Sequence, residues 1–79
     1  MKLKYYVEKE VDISVKNLKW IVQELKKERY DATENFFVAE DVLNKAVELG
    51  LIEADKWLTY SWKGLEYDPT NKKFTWYVD

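Results

Sequence analysis

The chain reads as an α+β domain in which a three-stranded antiparallel sheet packs on two helices, with element order β-α-α-β-β. Three observations predict this: a two-residue apolar alternation at the start, two helical-period stripes in the middle, and a turn-centred pair of alternating segments at the end. Seventy-nine residues, 47% hydrophobic and 16% aromatic, suffice for one domain, residues 1–79, with a modest core.

At the start, Leu3, Tyr5, Val7, Val11 and Ile13 share one face of the alternation, and Lys2, Lys4, Tyr6, Glu8, Glu10 and Asp12 the other. This predicts one half-buried strand, with Lys9 interrupting its apolar face and marking a bend. Ser14 is an N-cap, and Val15, Leu18, Ile21, Val22 and Leu25 recur at helical spacing to about Arg29. Lys26, Lys27 and Arg29 suit the negative end of that helix.

Between the helices, Asp31 and Glu34 have capping-box spacing. A helix started there would turn Phe37 to its polar side, so an extended lead-in through Phe36 and Phe37 is expected. The second helix then begins near Val38 or Ala39. It places Ala39, Leu43, Ala46 and Val47 on one stripe and Asp41, Asn44, Lys45 and Glu48 on the other, and stops at Gly50 in a left-handed C′ position with Leu51 folding back.

In the last third, a loop at Pro69 to Lys72 pairs Tyr67 with Phe74, Leu65 with Trp76 and Lys63 with Val78. Leu65, Tyr67, Phe74, Trp76 and Val78 then share a face. Leu58, Tyr60 and Trp62 carry the opposite parity, which predicts a bulge or tight turn at Lys63-Gly64.

Composition removes whole classes of chemistry. Without His or Cys the chain builds no zinc finger, iron–sulfur site, disulfide, Cys nucleophile or Ser-His-Asp triad. Glu8, Glu10 and Asp12 line one strand face, but alternating carboxylates on a solvent-facing strand serve solubility and edge protection, and no phosphate cradle accompanies them. A non-enzymatic protein that needs no cofactor or metal is expected. No apolar run is long enough to cross a bilayer and the start lacks a signal-like apolar segment, which reads as a cytoplasmic chain that does not engage membranes.

The net charge of −2 is unevenly spread: residues 1–30 carry eight cations against five acids, residues 31–55 one against seven, and residues 56–79 four against three. The acidic middle, with Glu40, Asp41 and Glu48, would complement a basic surface on a protein partner. Trp20 stands about 200° from Leu18 on its helix, among Lys16, Gln23, Glu24 and Lys27. Tyr6 and Tyr77 lie opposite their strands' apolar sets, and these three rings are the candidate anchors for that partner.

Two segments carry resemblances. The second helix running through Glu48-Leu49-Gly50-Leu51-Ile52 into a hairpin, over residues 38–78, resembles the recognition helix and wing of winged-helix regulators. That resemblance implies DNA contacts by Asn44, Lys45, Lys72 and Lys73, although the acids around this helix would repel phosphates. The segment Tyr67 to Phe74 is similar in spacing to the C-terminal hairpin of the immunoglobulin-binding domains of streptococcal protein G, which implies a turn geometry.

Trp57, Tyr60, Trp62, Tyr67, Phe74, Trp76 and Tyr77 have the makings of a base-stacking platform, but no basic groove surrounds them in the sequence, and a sheet's core layer is the plainer reading. In size and composition the chain looks like the small inhibitors and adaptors of phages and mobile elements, so a protein-binding role is expected. An engineered chain without a natural partner is the third reading, although the irregular stretch 30–38 and four Trp are unlike an idealised design.

Overall fold

The computed structural model describes residues 1–58 and 62–77. Its elements are β1 (Lys2–Tyr6), β2 (Lys9–Asp12), α1 (Val15–Glu28), β3 (Phe36–Val38), α2 (Ala39–Glu48), β4 (Gly64–Asp68) and β5 (Lys73–Tyr77). The class is α+β, with two helices, a three-stranded antiparallel sheet in the order β3-β4-β5, and a separate two-stranded sheet of β1 and β2.

The expected N-terminal strand is therefore a hairpin, and the third strand of the larger sheet is β3. The register explains why the alternation concealed the turn. Tyr6 pairs with Lys9, but a shift between Lys4 and Tyr6 restores Lys4 opposite Glu10 and Leu3 opposite Val11. The extra residue keeps odd positions inward on both strands, so a hairpin and one continuous strand carry the same pattern. Val7 and Glu8 make the turn without positive φ, so no Gly or Asn announces it. Val7, expected on the apolar face, sits at the tip and is 91% exposed.

Helix α1 follows its predicted boundaries. Ser14 Oγ accepts from the Asn17 N–H at 3.1 Å, and Leu18, Ile21, Val22 and Leu25 are buried. Val15 lies in the first turn, beyond the end of the core, and is 48% exposed. Asp31 does not form a capping box. Its carboxylate accepts from the Thr33 N–H and hydroxyl at 3.0 Å each, a local turn that leads into β3.

Helix α2 starts at Ala39 with no side-chain cap; the Ala39 N–H instead donates to Lys63 O at 3.2 Å, at the head of β4. Its end has the predicted form: Gly50 has φ 76°, its N–H donates to Val47 O, and the Leu51 N–H reaches Ala46 O. The helix contacts α1 and also β3 and β4, so its buried arc is wider than one stripe and runs through Ala39, Val42, Leu43, Lys45 and Ala46.

Strands β4 and β5 pair Leu65 with Trp76 and Tyr67 with Phe74, as predicted. The Asp68 carboxylate accepts from the Thr70 and Asn71 N–H groups, and Lys72 takes the left-handed conformation at φ 55°. The expected Lys63–Val78 pair, and Tyr60, lie outside the described residues. Where the parity change predicted a bulge, Gly64 opens β4, and the reason for glycine is space. A Cβ there would press on the Phe37 carbonyl oxygen and lie 2.6 Å from Phe36 Cζ, because the Phe36 ring covers this position. The order α2, β4, β5 is the one the winged-helix resemblance implies.

Leu3, Tyr5 and Ile13 from the N-terminal hairpin join α1, α2, Phe37 and Leu65 in one hydrophobic cluster. Of the face shared by Leu65, Tyr67, Phe74 and Trp76, only Leu65 is fully buried; the three rings are half-buried.

Candidate functional site

Helix α1 buries one side against the core and turns Trp20 to the other. The indole is 41% exposed and, among the described residues, makes no hydrogen bond or ring contact, so part of the ring is open to solvent. Lys16, Lys19 and Gln23 share its face and are exposed. Lys27 reaches Glu24 Oε1 at 3.3 Å in an exposed pair. The surroundings of Trp20 are cationic.

The other two candidate anchors stand elsewhere. Tyr6 is half-buried rather than exposed, edge-on to Tyr5 at 5.4 Å with the Lys9 ammonium over its ring. Tyr77 is 42% exposed, donates to Glu66 Oε1 at 3.3 Å, and has its phenol pushed up by that carboxylate's charge. It lies 6.4 Å from Phe36 on the outer face of the sheet, where Val38 is also exposed.

Most of the acidic block is engaged within the fold. Asp41 takes the Arg29 guanidinium at 2.7 Å and the Tyr30 hydroxyl at 2.6 Å. Burial and that carboxylate push the Tyr30 phenol up to about 12. Glu48 and Glu28 both accept from Lys45 Nζ, at 2.8 and 2.7 Å. Asp55 accepts from the Tyr5 hydroxyl at 2.7 Å and from Lys9 at 3.4 Å; these partners and the Lys56 N–H hold its carboxyl below the usual range, and Tyr5 rises to about 12. Glu34, Glu40 and Glu53 are exposed, and their carboxylates pair with none of the described residues.

The residues that the winged-helix resemblance singled out are dispersed. Lys45, expected on the solvent face of α2, is 4% exposed because α1 lies beside it, and the two glutamates that hydrogen-bond its ammonium raise its pKa. It cannot reach a phosphate from there. Asn44 is exposed but its Oδ1 accepts from Trp57 Nε1 at 2.8 Å. Lys72 and Lys73 are exposed at the hairpin loop, apart from α2 in the chain.

Among the described residues, the hairpin aromatics are spread over several separate contacts. Trp57 stands edge-on to Tyr5 at 4.8 Å, Tyr67 faces Phe74 at 4.9 Å, and Trp76 Nε1 donates to Lys4 O at 2.9 Å, tying the larger sheet to β1. Trp62 is exposed at the head of β4. Of the strand carboxylates, Asp12 accepts from the Met1 amino group at 2.9 Å, which holds it low, and Glu10 pairs with Lys2 at 3.7 Å. No group of three metal-ligating side chains occurs among the described residues, and no helix there is long and apolar enough to cross a membrane.

The outward set of Phe36 and Val38 escaped the sequence reading. Its signal was the alternation Phe36-Phe37-Val38 around one buried ring, but three residues are too few to show a period. Comparison with protein-family models, curated proteins and solved structures returns no significant match.

Proposed function

We propose that this chain is a non-enzymatic protein-binding domain, of the inhibitor or adaptor kind, that anchors a partner through Trp20 on α1. The observation that supports this is the indole, 41% exposed, in the middle of a 14-residue helix whose opposite side is locked into the core. A Trp on a rigid element loses little conformational entropy on docking and buries a large area, which is why this residue type dominates interface energies. Lys16 and Lys19 beside it select a partner surface that carries carboxylates at that point, and raise the association rate more than the affinity. The acidic block adds only Glu34, Glu40 and Glu53 to any complement for a basic region, since Asp41 and Glu48 are already paired.

The test is Trp20→Ala. Alanine is the better helix former and the ring is only partly buried, so the thermal midpoint should stay within about 3 °C of wild type. Tagged wild-type chain should capture a stoichiometric protein from lysate of its source, after nuclease and in moderate salt, and the variant should not. A variant that captures the same protein equally well overturns the reading. So does capture that vanishes with nuclease, which would return nucleic acid as the ligand.

A further inference from the structure

Among the described residues, the larger sheet has one edge whose backbone groups no other element pairs. On β4, Tyr67 N donates to Asn35 O at 2.7 Å and Lys63 O accepts from Ala39 N, so the odd residues of β4 bond toward β3. Alternation then directs Gly64, Glu66 and Asp68 toward β5, where they meet Tyr77, Thr75 and Lys73. The N–H and C=O groups of Phe74 and Trp76 therefore point away from the sheet, and no hydrogen bond among the described residues reaches them.

Among the described residues, the other strand edges are blunted. The outward N–H of Val38 on β3 donates to Tyr30 Oη at 3.1 Å. On β1, the outward carbonyl of Lys4 takes the Trp76 indole. Strand β2 is four residues long and three of them are charged. Strand β5 instead presents Phe74, Thr75, Trp76 and Tyr77 in a row, the exposed length that folds usually protect.

The open edge faces a shallow groove of about 480 Å³, with Phe74, Thr75 and Trp76 on one wall and Lys2, Lys4 and Glu10 on the other. Lys4 is exposed and has no ion pair among the described residues, Lys2 reaches Glu10 only at 3.7 Å, and Lys73 stands at one end of β5. A second copy of this chain docked edge to edge would bring its own Lys72 and Lys73 to the same cations. An acidic segment would not meet that repulsion.

We propose that the edge of β5 accepts an extended acidic peptide segment of a partner protein as a fourth strand, hydrogen-bonded to Phe74 and Trp76 and flanked by Lys4 and Lys73. Backbone pairing supplies the affinity and the lysines supply the choice of sequence. This surface is separate from the Trp20 face and stands or falls independently of it.

The probe is a short blocked peptide alternating glutamate and valine, titrated into the full chain and followed by amide chemical shifts. The largest shifts should fall at Phe74 and Trp76, with slowed hydrogen exchange there. N-methylation of alternate peptide amides should weaken binding about tenfold, as loss of about two strand hydrogen bonds requires. Lysine in place of glutamate should weaken it as much, and Trp20→Ala should leave it unchanged. The proposal is overturned by shifts centred on Lys16, Lys19 and Trp20, by equal binding of the methylated peptide, by no binding at millimolar peptide, or by concentration-dependent β5 shifts without peptide, which would make a second copy the occupant.

Discussion

Replacing Tyr30 by Phe removes one oxygen at the junction of three elements. The hydroxyl donates to Asp41 Oδ2 at 2.6 Å in the first turn of α2 and accepts from the Val38 N–H at 3.1 Å on the edge of β3, while the ring stands edge-on to Phe37 at 5.0 Å. Phenylalanine keeps the ring contact. A hydrogen bond to a carboxylate contributes about 1.5–3 kcal/mol and one from a backbone N–H about 0.5–1.5 kcal/mol. Asp41 retains Arg29 and the Val38 N–H lies on an exposed edge that water can reach, which reduces the net loss to about 2 kcal/mol. For a domain of this size that lowers the midpoint by about 8–16 °C.

Urea unfolding of wild type, Tyr30→Phe, Asp41→Asn and the double variant, followed by Trp fluorescence, measures the loss and the coupling between the two side chains. Tyr30 holds its proton in the fold up to about 12 against 10.0 when unfolded, so its contribution is complete below pH 10 and falls away as pH rises from there to 12. Tyr30→Phe should flatten that alkaline slope, leaving the share due to Tyr5, which is raised in the same window. A loss below about 0.5 kcal/mol, with an unchanged slope, would refute the assignment of Tyr30 as the link between β3 and α2.

Gly64→Ala should destabilise by about 1–3 kcal/mol in the same assay, since the added carbon meets the Phe37 carbonyl, which cannot swing aside as the Phe36 ring can. A variant as stable as wild type would contradict that close approach. Lys45→Met keeps the buried stem and loses only the ammonium, so it should lose about 1–2 kcal/mol, with Lys45→Ala losing about 2–4 kcal/mol; equal losses would show that the stem packs against nothing. Because the Lys45 pKa is raised above 10.5, the ammonium's contribution persists below that pH and disappears above it, and Lys45→Met should remove this part of the alkaline loss.

Local chemistry was legible wherever one element decided it. The cap at Ser14, the stripe Leu18-Ile21-Val22-Leu25, the left-handed stop at Gly50 and the register across Pro69 to Lys72 each depend on residues within a few positions of one another. The absence of His and Cys likewise limits the available chemistry without any coordinates. The partial exposure of Trp20 was half legible, because its angle on α1 follows from the helix repeat but its neighbours do not.

Tertiary structure decided the rest. A shift in β1 gave β2 the same parity, so alternation alone could not separate one strand from two. Burial of α2 on two flanks moved Lys45 from solvent to a site between helices, and three residues at Phe36–Val38 became a strand only because β4 lay beside them. The pairing of Asp41 and Glu48, which leaves little of the acidic block free, joins residues up to 17 positions apart through Arg29, Tyr30, Lys45 and Glu28. The open edge of β5 is likewise a property of which strands meet, and periodicity records which face a side chain takes but not which neighbour its backbone finds.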